Sequence, residues 1–322
     1  MKDIEIVASA KSIPSKIVTN EELSNLMDTS DEWIQKRTGI KKRHISTIKN
    51  TSDLASDVAM QLLNKTATQA SEIDLIIVAT MSPDNMTPAT AAMVQGAIGA
   101  RRAIAFDISA ACSGFSYAIA IAHDLMVSNN LKKAIVIGSE VLSKMLNWHD
   151  RTTAVLFGDG AGGVLLNASA HQHLLAHELQ TFGELGNKLI AGHTKVEKDF
   201  TANDHVFSTF EMDGREVYRF ATHKVPDSIK LAIAKAKLNL NQIDYYLLHQ
   251  ANVRIIKSVA RNLKQPLTKF PVNIDEYGNT AAASEAILLA ECMKKNLFKK
   301  GDIISLSGFG GGLTAATIIY KF

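Results

Sequence analysis

The chain has 322 residues, 46% hydrophobic and 21% charged, with a net charge of +3. That length exceeds what one hydrophobic core usually serves, the balance is that of a soluble globular protein, and the charge is too small to argue for nucleic acid. Two cysteines, Cys112 and Cys292, exclude a disulfide framework, and no apolar run approaches the ~20 residues of a membrane span. The opening MKDIEIVASAKSIP carries Asp3 and Glu5 where a signal peptide would be apolar, so a cytoplasmic location is expected.

In chain order, TSDEWIQKRTGIKKRH places Trp33 and Arg37 four apart on one helical face, ahead of a basic cluster. A helix over TSDLASDVAMQLLNK, with Asp53 near its positive end, leads into a buried strand in EIDLIIVAT. The run FDISAACSGFSYAIAIAHDLMVSNNLKKAIVIGSE then reads as strand, tight turn, helix, strand. Its helix is apolar on nearly every face until His123, which predicts burial, and Cys112 falls at its N-terminus among Ser109, Ala110, Ala111, Ser113 and Gly114. Free N–H groups there favour a thiolate, by about one pK unit. FGDGAGG at 157–163 lacks the Gly-Lys-Ser/Thr of a phosphate loop and precedes a strand, so it reads as a tight turn between strands. HQHLLAH at 171–177 has no cysteine or carboxylate set around it and reads as surface rather than metal site.

The second half repeats the first. REVYRFATHKVPDSIKLAIAKAK is helical, with a break predicted near Pro226, and a strand in QIDYYLLHQ follows. FPVNIDEYGNTAAASEAILLAECMKKNLFKKGDIISLSGFG reads again as strand, turn, helix, strand. Asp74 to Cys112 spans 38 positions and Asp244 to Asn279 spans 35, so Cys112 and Asn279 read as equivalent turns of a duplicated α/β unit with mixed, helix-covered sheets. The seam falls near 168–175. His249 ends the second buried strand, where α/β sheets place ligand chemistry, and is the expected polar partner of Cys112. Cys292 reads as inert core. VRIIKSVARNLK carries Arg254, Lys257, Arg261 and Lys264 at helical spacing with no acid among them, a positive stripe.

AACSGF with Cys112, LLHQANVRI with His249, YGNTAAAS with Asn279 and the closing GFGGG together resemble the β-ketoacyl-acyl carrier protein synthase III family, over essentially the whole chain. The resemblance implies a thiolase-like five-layer αβαβα sandwich with two mixed sheets, halves at 1–170 and 171–322, and a homodimer. It implies ping-pong condensation of an acyl-CoA primer with malonyl-acyl carrier protein to start fatty-acid synthesis. Cys112 would be the nucleophile, His249 and Asn279 the donors to the enolate, and the N–H groups of Cys112 and Gly311 the oxyanion hole. Thr29, Trp33, Arg37 and Arg151 would bind CoA, with Trp33 and Arg151 sandwiching the adenine. Arg219, Arg254, Lys257 and Arg261 would dock the acidic carrier protein, and Thr87 would shape the acyl pocket from the partner subunit. No metal or further cofactor is implied.

Departures are visible too. Glu285 stands where the family motif has an apolar residue and is expected near the active-site helix, with an effect on the mouth of the site, and 181–208 does not follow the family closely. No carboxylate is expected near the enolate donors. A second catalytic cysteine, as a thiolase would need, is missing from Gly308-Phe309-Gly310-Gly311. The alternatives are a ketosynthase of secondary metabolism using a CoA extender, and a non-catalytic carrier-protein-binding subunit, against which the presence of Cys112, His249 and Asn279 argues.

Overall fold

The computed structural model describes residues 3–194, 196, 201 and 209–322, so part of the divergent 181–208 stretch lies outside the described residues. Strands β1 (Asp3–Ser12) and β2 (Lys16–Thr19) precede helices α1 (Asn20–Ser24) and α2 (Asp31–Thr38), then β3 (Lys42–Ile45). Helix α3 (Thr51–Thr66) starts at a capping box in which Asp53 takes the Asn50 N–H at 2.9 Å, and it buries Leu54, Val58 and Leu62. β4 (Leu75–Ala79), α4 (Thr90–Ile98), β5 (Ile104–Ile108), α5 (Gly114–Asn129), β6 (Lys133–Glu140) and β7 (Gly160–Ser169) complete the first half.

The second half begins at β8 (Leu174–Thr181), followed by the short β9 (Leu189–Ile190) and β10 (Glu211–Met212). Then come α6 (Gly214–Lys235), β11 (Tyr245–Leu248), α7 (Val253–Asn262), α8 (Ile274–Tyr277), α9 (Ala283–Lys294), β12 (Ile303–Gly310) and β13 (Thr314–Lys321). Helix α6 runs through Pro226 without the expected break. The ring removes the bond to the carbonyl four residues back, and Asn262 Nδ2 donates to that Thr222 carbonyl at 2.7 Å instead.

Strand order is β1-β7-β6-β4-β5 in one sheet and β11-β12-β13-β8 in the other. β4 is parallel to β5 and β6, and β11 is parallel to β12, while the remaining ladders are antiparallel. α3 and α4 cover the outer face of the first sheet around Val58, Val94 and Ile135. α6 and α7 cover the second around Ile229, Ile256 and Ile319. α5 and α9 lie between the sheets, and one continuous core joins Phe115 and Ile119 to Leu288, Leu289, Val136 and Leu306. The five-layer αβαβα sandwich follows from these three clusters.

The duplication is a shift of 170 positions. Asp74 accepts the Lys133 N–H at 3.1 Å, and Asp244 accepts the Ile303 N–H at 2.8 Å, each residue 170 after its counterpart. The shift corrects the expected pairing of Cys112 with Asn279, because 38 positions after Asp244 stands Ala282. Ala111 and Ala281, just before Cys112 and Ala282, both adopt left-handed φ, 45° and 41°. A Cβ on Gly308 would lie 3.1 Å from the Cys112 carbonyl, and one on Gly138 would lie 2.1 Å from that of Ala282. Asn279 therefore sits three residues before the twin of the cysteine. The expected strand at FPVN is also replaced. Pro271 has no N–H for a ladder, the Asn273 N–H goes to Gln250 Oε1 at 3.1 Å, and the short α8 follows. Among the described residues no helix is long and apolar enough to cross a membrane.

Candidate active site

Cys112 lies in a 3-10 turn, Ala111–Ser113, that runs directly into α5. The turn closes against the end of β12, where a Cβ on Gly310 would stand 2.8 Å from both Cys112 N and Cys112 Cβ and 3.1 Å from Sγ. Only glycine permits that approach. Ser113 Oγ, 2.7 Å from Thr314 Oγ1, ties the turn to β13.

His249 follows β11, its N–H donating to the Ser307 carbonyl at 2.9 Å and its ring set edge-on to Phe309 at 5.1 Å. It is buried, and its Nδ1 has no protein partner. Asn279 is held by the backbone where the FGDG run begins: its N–H donates to the carbonyl of Leu156, just before the run, at 2.9 Å, and its carbonyl accepts from Gly158 at 3.0 Å. That run is thus not a turn between strands but the clamp for Asn279. The Asn279 Oδ1 accepts the Ala281 N–H at 2.9 Å, which leaves the Nδ2 donors for the cavity.

Cys112, His249, Asn279, Gly310 and Gly311 line one cavity of about 660 Å³. Its apolar wall includes Phe157 and Phe210, stacked with ring centroids 4.5 Å apart. Gly311 lines the space, but Gly310 is the glycine packed on the sulfur. Phe210, Phe157 and Gly310 escaped the sequence reading, although GFGGG and FGDG, as glycine-rich runs, marked two of the three.

The electrostatics differ from expectation. Burial, with Glu140 and then Glu285 adding negative charge, pushes the Cys112 thiol far above its ordinary range, so the resting sulfur is protonated. The helix N-terminus contributes at most ~2 kcal/mol and is outweighed. Two carboxyls lie close behind the Cys112 turn: Glu285 is beside the active-site helix, as expected, but fully buried there, 3.0 Å from Ser116 Oγ. Glu140 accepts from Thr80 Oγ1, Ser82 Oγ and the N–H groups of Met81 and Ser82. Burial nevertheless raises it to about 7, and raises Glu285 well above the usual carboxylate range. Burial lowers His249 to about 3, so its imidazole is neutral.

A second, more open cavity of about 510 Å³ is lined by Trp33, Lys36, Arg37 and Arg254. Ser30 caps α2 by accepting the Trp33 N–H at 3.2 Å, which fixes the Trp33 and Arg37 face. Both guanidinium groups lie over the Trp33 ring itself, Arg37 at 4.6 Å and Arg151 at 5.4 Å, and Arg151 donates to the Asp28 carbonyl at 2.7 Å. Thr29 has a buried hydroxyl without a partner. Arg254, Lys257 and Arg261 are exposed along α7, with Arg219 on α6 beside Glu216 at 3.6 Å. Asn252 Nδ2 joins α7 to α2 by donating to the Arg37 carbonyl at 3.0 Å. Thr87 is exposed and does not line the Cys112 cavity within one chain. His173 Nδ1 lies 2.9 Å from the Lys321 carbonyl, and no group of three or more His, Cys, Asp or Glu among the described residues is arranged to hold a metal ion.

Two family models match the chain: 3-oxoacyl-[acyl-carrier-protein] synthase III over residues 106–183, and the C-terminal model of that family over 233–322. The β-ketoacyl-[acyl-carrier-protein] synthase III of Limosilactobacillus reuteri (strain DSM 20016) is 56% identical across the full length of both chains. That of Lactobacillus helveticus (strain DPC 4571) is 52% identical over 100% of this chain and 99% of its own. Among solved structures, 3-oxoacyl-[acyl-carrier-protein] synthase III from Aquifex aeolicus VF5 superimposes with a TM-score of 0.92 at 38% identity, covering 99% of this chain and 100% of that one.

Proposed function

The chain belongs to the β-ketoacyl-acyl carrier protein synthase III family, and from that premise we propose that Cys112, His249 and Asn279 carry its chemistry. The protein is an acyltransferase that performs the condensation initiating fatty-acid synthesis. The observation that carries the residue assignment is the single cavity in which sulfur, imidazole and carboxamide meet under a glycine backbone.

In the first half-reaction the Cys112 sulfur attacks an acyl-CoA carbonyl, the new S–C bond replaces the CoA thioester, and the CoA sulfur leaves with the thiol's proton. N–H groups of Cys112 and Gly311 stabilise the transient oxyanion. In the second, malonyl-acyl carrier protein breaks its C–C bond to carbon dioxide, and the electron pair moves onto the thioester oxygen as an enolate. Neutral donors suit that charge. His249, uncharged at working pH, and the free Asn279 Nδ2 supply them. The enolate carbon then attacks acyl-Cys112, the oxyanion collapses and expels the Cys112 sulfur as thiolate, the 3-oxoacyl-carrier product leaves, and a proton taken from solvent restores the thiol.

Thr29, Trp33, Arg37 and Arg151 are assigned to CoA. Entry of the adenine against Trp33 requires the Arg151 guanidinium to swing off the ring. The exposed stripe of Arg254, Lys257 and Arg261, with Arg219, is assigned to the acidic carrier protein, and the stripe begins at the second cavity, which Arg254 shares with Arg37. We further read the protein as a cytoplasmic homodimer, divided near residue 170, in which Thr87 reaches the partner's acyl pocket. Incubation with acetyl-CoA, then with branched four- and five-carbon acyl-CoAs, followed by intact mass, tests the assignment. An adduct lost in Cys112→Ala and kept in Cys292→Ala is expected; no adduct from any acyl-CoA would sink the reading.

A further inference from the structure

Glu285 is out of keeping with the packing around it. Its twin position, 170 residues earlier, is Phe115, an apolar side chain with no exposure in the central core. Glu285 puts a carboxyl with no exposure in the corresponding place between α9 and α5. Both its oxygens lie 3.0 Å from Ser116 Oγ, one turn into the helix that follows Cys112. The empty Cβ position of Gly308 is 3.0 Å from Glu285 Oε2, 3.1 Å from the Cys112 carbonyl oxygen and 2.6 Å from Ser113 Cα. Carboxyl and nucleophile turn thus lie on two sides of one missing side chain, at the N-terminus of α5.

The ionisable groups facing this point are few. Cys112 comes from the turn, Glu140 from the end of β6 and His249 from the end of β11, the last neutral. The charges that bear on Cys112 are Glu140 and Glu285, and both oppose its ionisation. α5 presents the Ser116 hydroxyl here, while the hydroxyls of Ser305 and Ser307 lie on the other face of β12, linked through Thr317 to Ser228 of α6.

We propose that Glu285 governs the reactivity of Cys112: protonated, it leaves the helix N-terminus to the sulfur; ionised, it sets a negative charge beside the sulfur and holds it as an unreactive thiol. Glu285 does not line the ligand cavity, so it acts through Cys112 and not on substrate. Burial keeps the acid form to higher pH than on a surface, so the restraint grows as pH rises. Cys112 should therefore gain reactivity with pH less steeply than a free thiol.

This rests only on Cys112 being a reactive thiol, the first element of the function proposed above. The test is the rate of Cys112 alkylation by iodoacetamide between about pH 6 and pH 9, mapped by peptide mass to separate it from Cys292. The full-length chain, Glu285→Gln and Ser116→Ala are compared, with circular dichroism reporting the fold. Glu285→Gln should alkylate about tenfold faster at the alkaline end, with a steeper pH profile. Ser116→Ala removes a donor that steadies the carboxylate, keeps Glu285 protonated to higher pH, and should raise the alkaline rate in the same sense. A folded Glu285→Gln with the wild-type profile overturns the proposal. If that variant does not fold, a folded Ser116→Ala with the wild-type profile overturns it. Alkylation needs no acyl-CoA: faster alkylation without any acyl adduct would sink the proposed function and support this inference, and an acyl adduct with unchanged alkylation would do the reverse.

Discussion

Cys112 and Cys292 are both buried, yet Cys112 lines the cavity while Cys292 packs in the central core, where burial raises it to about 11. On the proposed assignment Asn279 acts only in the second half-reaction. Asn279→Ala should therefore leave Cys112 acylation by acetyl-CoA within about twofold, while malonyl decarboxylation falls 10²- to 10³-fold, about 3–4 kcal/mol. Single-turnover assays of the two halves separate these effects. His249, at about 3, should impose no titration on decarboxylation between about pH 5 and pH 8. Glu140 carries a stability signature of definite sign. Its folded value near 7 lies above the ordinary 4.5, so its contribution is full below 4.5 and is lost as pH rises toward 7. Relative to Glu140→Gln, the wild type should lose about 3 kcal/mol across that window, read by urea unfolding at a series of pH values.

At the scale of elements, α6 keeps its length because another helix answers the carbonyl that Pro226 leaves open. Asn262→Ala should cost about 1–3 kcal/mol, and the loss should shrink in a Pro226→Ala background, where the helix can make its own bond. Equilibrium denaturation of the two single variants and the double variant closes that cycle. The Cys112 turn depends on two bare backbone positions of β12. Gly308→Ala sets a Cβ 2.6 Å from Ser113 Cα, which cannot yield without moving the turn. Overpacking of about 1–3 kcal/mol and a loss of Cys112 acylation beyond tenfold are expected, measured by unfolding and intact mass.

For the molecule as a whole, the halves share the core between α5 and α9, so neither sheet can be uncovered alone. Unfolding should be a single transition, with tryptophan fluorescence, which reports Trp33 and Trp148 of the first half, coincident with far-ultraviolet circular dichroism of the whole. Two separated midpoints would contradict the shared core. The exposed basic stripe of α7 belongs to this scale as well, since in the proposed docking role it would act at a distance on an approaching acidic partner. Lys257→Glu should raise KM for malonyl-acyl carrier protein several-fold at low salt, with the difference shrinking as salt is added and acylation by acetyl-CoA unaffected.

The sequence by itself determined the duplication, the buried strands, the helix behind Cys112 and the three residues that meet in the cavity. Each rests on local periodicity or on a short motif whose spacing survives folding. It misjudged whatever depends on a neighbour far along the chain. Pro226 reads as a break until Asn262 is placed against it, and FGDG reads as a turn until Asn279 lies beside it. The twin of Cys112 reads as Asn279 until the two sheets fix the shift at 170. Above all, only the tertiary structure set the charges. A group's ionisation depends on how much water surrounds it: Glu140 and Glu285, ordinary acids in the sequence, keep their protons to higher pH, and Cys112 rests as a thiol, because the layers of the structure close over them.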